Sequence, residues 1–317
     1  MLSTLEILLP VFGLILAGFV CRRRGVLGPD SASVLNRFVV WLALPALLLD
    51  TMISATWQQL NQPGFIAAFS LACIGTFLLV LALRIASGRA MPDATIDAIA
   101  GAYPNTGYIG FPLCLIAFGP ESLTPTSIAT ILVACVLFAL AIVLIEIGIH
   151  AERSAWGLLR KVFLSLARNP LVVAPVTGIA ISAFSIELPR SAETFLDLLG
   201  NAASPCALVG LGLFLAESRP ASSEGTASSR TIGMLVGTKL LVQPALTWWL
   251  GFHVFGLSWN LAAMATVLAA LPTGTGPFML AEYYRREALV SSRTILMSTV
   301  GSLVTLTLLL MLFGTRG

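Results

Sequence analysis

Two stretches, Ala102-Tyr-Pro-Asn-Thr-Gly-Tyr-Ile-Gly-Phe-Pro-Leu113 and Ala270-Leu-Pro-Thr-Gly-Thr-Gly-Pro-Phe-Met-Leu-Ala281, set proline, glycine and small polar residues in the middle of long apolar segments. Proline removes a backbone donor and glycine loosens a helix, so both segments are predicted to break at membrane depth. A break leaves N–H groups free at the start of one half-helix and carbonyls free at the end of the other. Such ends suit an anionic or a cationic group, and lipid cannot satisfy them. Two breaks in corresponding positions of two halves predict a secondary transporter whose site lies where the breaks meet.

A membrane setting follows from the rest of the chain. Hydrophobic residues make up 57% and charged residues 10% of its 317 positions, and the mean hydropathy is +0.93. A soluble domain of this length cannot hide so much apolar surface, so the bilayer must serve as solvent. The net charge of +3 is then no sign of nucleic-acid binding. Apolar segments of bilayer length recur near residues 3–21, 33–53, 63–83, 96–118, 125–149, 168–186, 193–216, 231–250, 259–282 and 288–313. With ten spans, fifteen of the eighteen Lys and Arg residues fall on one side. Only Arg190 and Arg316 fall on the other, and Lys239 lies within a span. That bias places residues 84–95 and 217–230 in the cytoplasm, and 54–62 and 251–258 outside with both termini. Glu6 before the first span and Arg22-Arg-Arg24 after it predict a retained span rather than a cleaved signal peptide. The expected location is a cell inner membrane.

Proline spacing reveals an internal repeat. Pro10 and Pro170 are 160 residues apart, as are Pro45 and Pro205, while Pro104 and Pro272 are 168 apart. Leu44-Pro-Ala-Leu-Leu48 is echoed by Ser204-Pro-Cys-Ala-Leu208, and Tyr103-Pro-Asn-Thr-Gly107 by Leu271-Pro-Thr-Gly274. Five spans per repeat is odd, so the second half inserts upside down. The predicted fold is therefore an all-α integral membrane protein of ten transmembrane helices in a 5+5 inverted repeat, with spans four and nine broken and crossing. Residues 1–149 form the first repeat and 168–314 the second. An amphipathic connector at 150–167 carries Trp156, Leu158, Leu159 and Phe163 among cations, and 218–230 reads as a flexible polar loop.

The broken segments also carry a family signature. Pro104-Asn-Thr-Gly-Tyr-Ile-Gly-Phe-Pro-Leu113 resembles the Pro-Asn-Thr-x-x-x-Gly-x-Pro-Leu pattern of the auxin efflux carrier family. Leu271-Pro-Thr-Gly-Thr-Gly-Pro-Phe-Met-Leu-Ala-Glu-Tyr-Tyr284 resembles that family's Leu-Pro-x-Gly-x-x-Pro-Phe-x-x-Ala-x-x-Tyr. Leu42-Ala-Leu-Pro-Ala46, Asn169-Pro-Leu171 and Lys239-Leu-Leu-Val-Gln-Pro244 extend the likeness over essentially the whole chain. The short loop between the halves looks like the bacterial carboxylate transporters of the family. The resemblance implies the fold of bile acid:sodium symporters. Spans one, two, six and seven would form a scaffold, and spans three to five and eight to ten a transport domain that moves organic anions by an elevator-like displacement. It also favours a homodimer.

At the first break the resemblance points to Pro104, Asn105, Thr106, Gly107 and Tyr108. The Asn105 amide and half-helix N–H groups would hold a carboxylate without burying a fixed cation. Asn105 could instead satisfy carbonyls freed by Pro104, and the two roles are compatible. Pro272, Thr273, Gly274, Thr275 and Gly276 are the counterparts at the second break, which carries no Asn; its glycines suit close helix approach. Lys239, nine residues into span eight, is an intramembrane cation expected to be functional or paired. It is a candidate charge partner for the substrate, or for Glu146 or Glu282. Asp50, Asp97, Asp197 and Glu282 are expected at the membrane interfaces.

Enzyme chemistry finds no support. No span holds clustered or paired aspartates or a Ser/His pair, and no Gly-x-x-x-x-Gly-Lys loop is present. The five cysteines and two histidines form no metal-ligand spacing, so no metal or cofactor is expected beyond a coupling ion, H+ or Na+. The expected partners are a small organic anion and the bilayer. Two other readings stay open, a sodium-coupled carrier of sterol or bile-acid-like substrates on the same fold and a membrane sensor that binds an anion without moving it.

Overall fold

The computed structural model describes residues 2–149, 163–164, 167–168, 170–184, 186–217 and 229–314. The expected connector at 150–167 and polar loop at 218–230 lie for the most part outside them. The described chain is almost entirely helical. Its helices are α1 (Leu2–Arg23), α2 (Ser31–Ser54), α3 (Pro63–Ala86), α4 (Met91–Ala100), α5 (Thr106–Phe118) and α6 (Pro120–Ile149). They continue as α7 (Pro170–Ala183), α8 (Arg190–Ala216), α9 (229–254), α10 (Trp259–Ala270), α11 (Gly276–Tyr284) and α12 (Ala288–Gly314). Among the described residues, α2, α3, α6, α8 and α12 are each long and apolar enough to cross a bilayer, and α5, α7 and α10 are shorter apolar helices. This is the build of a helical, multi-pass membrane protein.

Prolines shape several helices without ending them. The backbone widens to a π-helical turn at Val39–Ala43, Thr106–Gly110 and Thr238–Val242, shortly before Pro45, Pro112 and Pro244. Proline clashes with the carbonyl four residues earlier, and a wider turn moves that carbonyl aside. The Leu44 N–H accordingly reaches back to Val39 O, and the Gln243 N–H to Thr238 O, each five residues away.

The helices group into two compact units. The first comprises Met1–Gln62, Gly107–Ile131 and Ala167–Pro220. Here α1 packs along the second half of α8, and α7 along the second half of α2. Val39, Leu44, Leu48, Tyr108, Phe111 and Ala207 form a buried cluster within it. The contact of α1 with α8 depends on glycine. A Cβ at Gly212 would stand 1.9 Å from Ile15 O, and one at Gly18 would stand 2.1 Å from Val209 O. Both obstacles are backbone, so no rotamer change relieves them. Gly212→Ala should therefore lower the melting temperature of the purified protein, with an overpacking cost of about 2–3 kcal/mol. Unchanged melting would show that the two helices are not held this closely.

The second unit comprises Pro63–Thr106, Leu132–Leu166 and Ala221–Gly317. In it α4 packs against α3 and the end of α6, and α10 lies against α9, α3 and α12. Asp97 is wholly buried within the unit, with Arg84 Nε donating to Oδ2 at 2.7 Å. The short turn after α3 folds α4 back alongside it, so the last turn of α3 covers the first helical turns of α4. Further ion pairs, Arg286 with Asp93 (2.7 Å) and Arg89 with Glu287, tie the α11–α12 turn to this end of the unit. That turn is strained, with Arg285 at φ 53° and Glu287 at φ 50°, and the ion pairs help hold it.

Candidate functional site

Both sequence breaks are breaks in the structure. Helix α4 stops at Ala100 and α5 starts at Thr106; α10 stops at Ala270 and α11 starts at Gly276. The two unwound segments pair with each other in antiparallel fashion, Pro104 opposite Thr273. The Asn105 N–H donates to Pro272 O at 2.9 Å, and the Gly274 N–H donates to Tyr103 O at 3.0 Å. Backbone that lost its helical partners to proline thus recovers them from the other break.

Side chains finish this accounting. Thr273 Oγ1 donates to Ala100 O (2.8 Å), and Ser298 Oγ of α12 accepts from the Thr273 N–H (3.0 Å). Gln243 Nε2 donates to Ala102 O (3.0 Å), just past the end of α4. Lys239 Nζ donates to Ala269 O (2.6 Å), at the end of α10. Lys239 and Gln243 are both wholly buried. Two side chains of α9, four residues apart, therefore cap the carbonyl ends of both interrupted helices, where donors are most needed. Glu146, a partner considered for Lys239, accepts from the Tyr284 hydroxyl at 2.8 Å. The side chain of Glu282 lies outside the described residues.

Of the residues singled out from sequence, Pro104, Asn105, Thr106, Pro272, Thr273, Gly274, Thr275 and Gly276 belong to the second unit. Asn105 and Thr106 are 4% and 2% exposed. The Thr106 N–H turns back to Pro104 O (2.9 Å), and Thr275 O accepts from the Met279 N–H (3.1 Å) in the first turn of α11. Glycine is needed at 274 and 276, where a Cβ would stand 3.0 and 2.8 Å from the Tyr103 ring. Gly107 and Tyr108 belong to the first unit, where the Tyr108 hydroxyl donates to Asn36 Oδ1. Sequence reasoning did not single out Gln243 or Ser298. A polar residue on the Lys239 face of an apolar span, just before a proline, was the available signal for Gln243. Ser298 lies among other hydroxyl residues of α12 and gave no such signal.

Two helix N-termini thus begin directly after a paired, buried and glycine-permitted segment, with one amide side chain set in it. Helix starts of this kind suit an anion.

Comparison with known proteins points to membrane transport. A family model described as "Membrane transport protein" matches residues 3–310. A Rhizobium meliloti protein named "Putative malonate transporter" is 31% identical over 96% of this chain and 94% of its own length. An "Uncharacterized transporter" of Methanothermobacter thermautotrophicus is 27% identical over 97% of each chain. Rice "Probable auxin efflux carrier component 5b" is 30% identical over 51% of this chain and 44% of its own. From residues 3 to 310, this chain belongs to the membrane transport protein family that includes the auxin efflux carriers.

Proposed function

We propose that this protein is a secondary active transporter of a small organic anion, a mono- or dicarboxylate, held by its carboxylate at the paired breaks. The observation that carries the reading is the antiparallel pairing of Tyr103–Asn105 with the 272–274 segment. It satisfies the unwound backbone internally and sets the Asn105 amide where two interrupted helices restart. Donors without a fixed cation suit an anion that must be released as readily as it is bound. The name of the Rhizobium meliloti relative favours a dicarboxylate such as malonate.

The proposal includes the finer architecture expected from sequence. Ten spans form a 5+5 inverted repeat in a cell inner membrane, with both termini outside the cytoplasm, and spans four and nine cross at their breaks. Spans one, two, six and seven form a scaffold, spans three to five and eight to ten a transport domain that moves as an elevator, and the protein forms a homodimer. Proline spacing and the fifteen-to-two charge bias support it.

Thermal stabilisation against a panel of mono- and dicarboxylates, followed by counterflow in proteoliposomes, tests the reading. A true ligand at about 100 times its Kd stabilises the folded state by about 2.7 kcal/mol. At least one carboxylate should stabilise the protein and exchange across the vesicle membrane. Binding without flux would make the protein a sensor. Flux of sterol-like anions that needs a sodium gradient would favour the symporter alternative. No stabilisation by any carboxylate would reject the proposal.

A further inference from the structure

Within the second unit, a cleft of about 670 Å³ runs along α9, α10 and α12. Its size falls in the range of roughly 300–1,000 Å³ typical of clefts that hold one ligand. Its wall on α9 extends from Leu240 to His253, fourteen residues or about 20 Å of helix. That length exceeds one leaflet, about 15 Å of a hydrocarbon core some 30 Å thick, by about 5 Å. One end is aromatic: Trp248 stacks on Phe252 at 5.0 Å and meets Trp259 edge-on at 5.0 Å and Phe313 at 5.1 Å. Tryptophan at one end of an apolar slot marks the level of the lipid headgroups. Among the described residues no Lys, Arg, Asp or Glu lines the cleft, and His253 sits toward that same end. The rim is apolar and exposed, with Leu241 at 62%, Leu308 at 56% and Leu312 at 64%. In a bilayer this mouth opens onto hydrocarbon rather than water.

We propose that this cleft seats one acyl chain of a membrane phospholipid, its ester end beside Trp248 and Trp259 and its methyl end beside Leu240 and Thr266. Length, apolar lining and an aromatic end at headgroup level select a chain that enters lengthwise from one leaflet. A charged substrate would find no partner along the walls. Seated there, the chain fills the groove beside Leu240 and Leu241, in the π-helical turn that also carries Lys239. The lipid would thereby support the helix that caps both breaks.

The test uses full-length protein with Trp41, Trp57, Trp156 and Trp249 changed to Phe, leaving Trp248 and Trp259 as reporters. It is placed in vesicles of phosphatidylcholine and its acyl-brominated analogue. Ala245→Phe fills the slot from α9, and Leu309→Phe narrows it from α12. At equal brominated fraction, quenching of the reporters should fall about twofold in either variant, with melting temperature confirming that the protein is folded. Equal quenching in the parent and in a folded blocking variant would overturn the proposal. Thr305→Val provides a second criterion, because the Thr305 hydroxyl is buried in the cleft wall without a hydrogen-bond partner. A seated acyl chain predicts unchanged or stronger quenching in Thr305→Val. A clear loss would mean that a polar group lies deep in the slot, and the acyl assignment would fail.

Discussion

Asn105→Ala should yield a folded protein that binds its carboxylate ligand about ten- to hundredfold more weakly, the worth of one hydrogen bond to a charged group at about 1.5–3 kcal/mol. The fold should survive because the pairing of the two breaks is built on backbone. The Asn105 N–H to Pro272 O and the Gly274 N–H to Tyr103 O do not involve the side chain. Asn105→Asp should bind more weakly still, since it sets a carboxylate against an anion where residue 105 is only 4% exposed. The competing role, in which the amide only repairs the break, predicts the opposite pattern. Both variants would then melt at lower temperature, and the protein that stays folded would bind normally. Melting temperature and affinity measured on the same preparations separate the two roles. Normal affinity in a stable Asn105→Ala protein would remove Asn105 from the site.

The breaks were legible because their cause is local. Pro104 and Pro272 are each followed directly by small polar residues and a glycine, all poor helix formers, so the signal sits in the broken residues themselves. Their register against each other was not legible. Pairing Pro104 with Thr273 joins residues far apart in the chain, and no periodic pattern encodes it. The partner of Lys239 was hidden for another reason. A cation within a span points to carboxylates, here Glu146 and Glu282. The acceptor in the structure is the Ala269 carbonyl, a group every residue carries and sequence therefore does not mark. Asp97 shows the same limit in reverse. Its place near the start of a span suggested an interfacial carboxylate, and only the turn between α3 and α4 brings Arg84 onto it. The π-helical turns ahead of Pro45, Pro112 and Pro244 lie between these cases. The prolines were visible, but whether a helix ends or widens at a proline depends on packing around it.

Lys239 gives the last test, because its geometry predicts a loss of stability rather than of recognition. Lys239→Met keeps a straight, apolar stem of similar length and removes the ammonium group, donor and charge together. The Ala269 carbonyl, at the open end of α10 in a wholly buried setting, would then lack its cap. An unsatisfied buried acceptor costs about 1–3 kcal/mol, and Lys239→Ala should raise the cost to about 2–5 kcal/mol by adding a cavity. Gln243→Leu should act alike at Ala102 O, the corresponding carbonyl beyond α4. Lys239→Gln, shorter but still a donor, should recover part of the loss. Carboxylate affinity of the folded fraction should stay close to that of the parent in Lys239→Met, since the nitrogen is already engaged by the backbone. A Lys239→Met protein that melts normally yet binds tenfold more weakly, a difference of about 1.4 kcal/mol, would reverse the assignment. The amine would then be reaching the substrate, and the helix end would not depend on it.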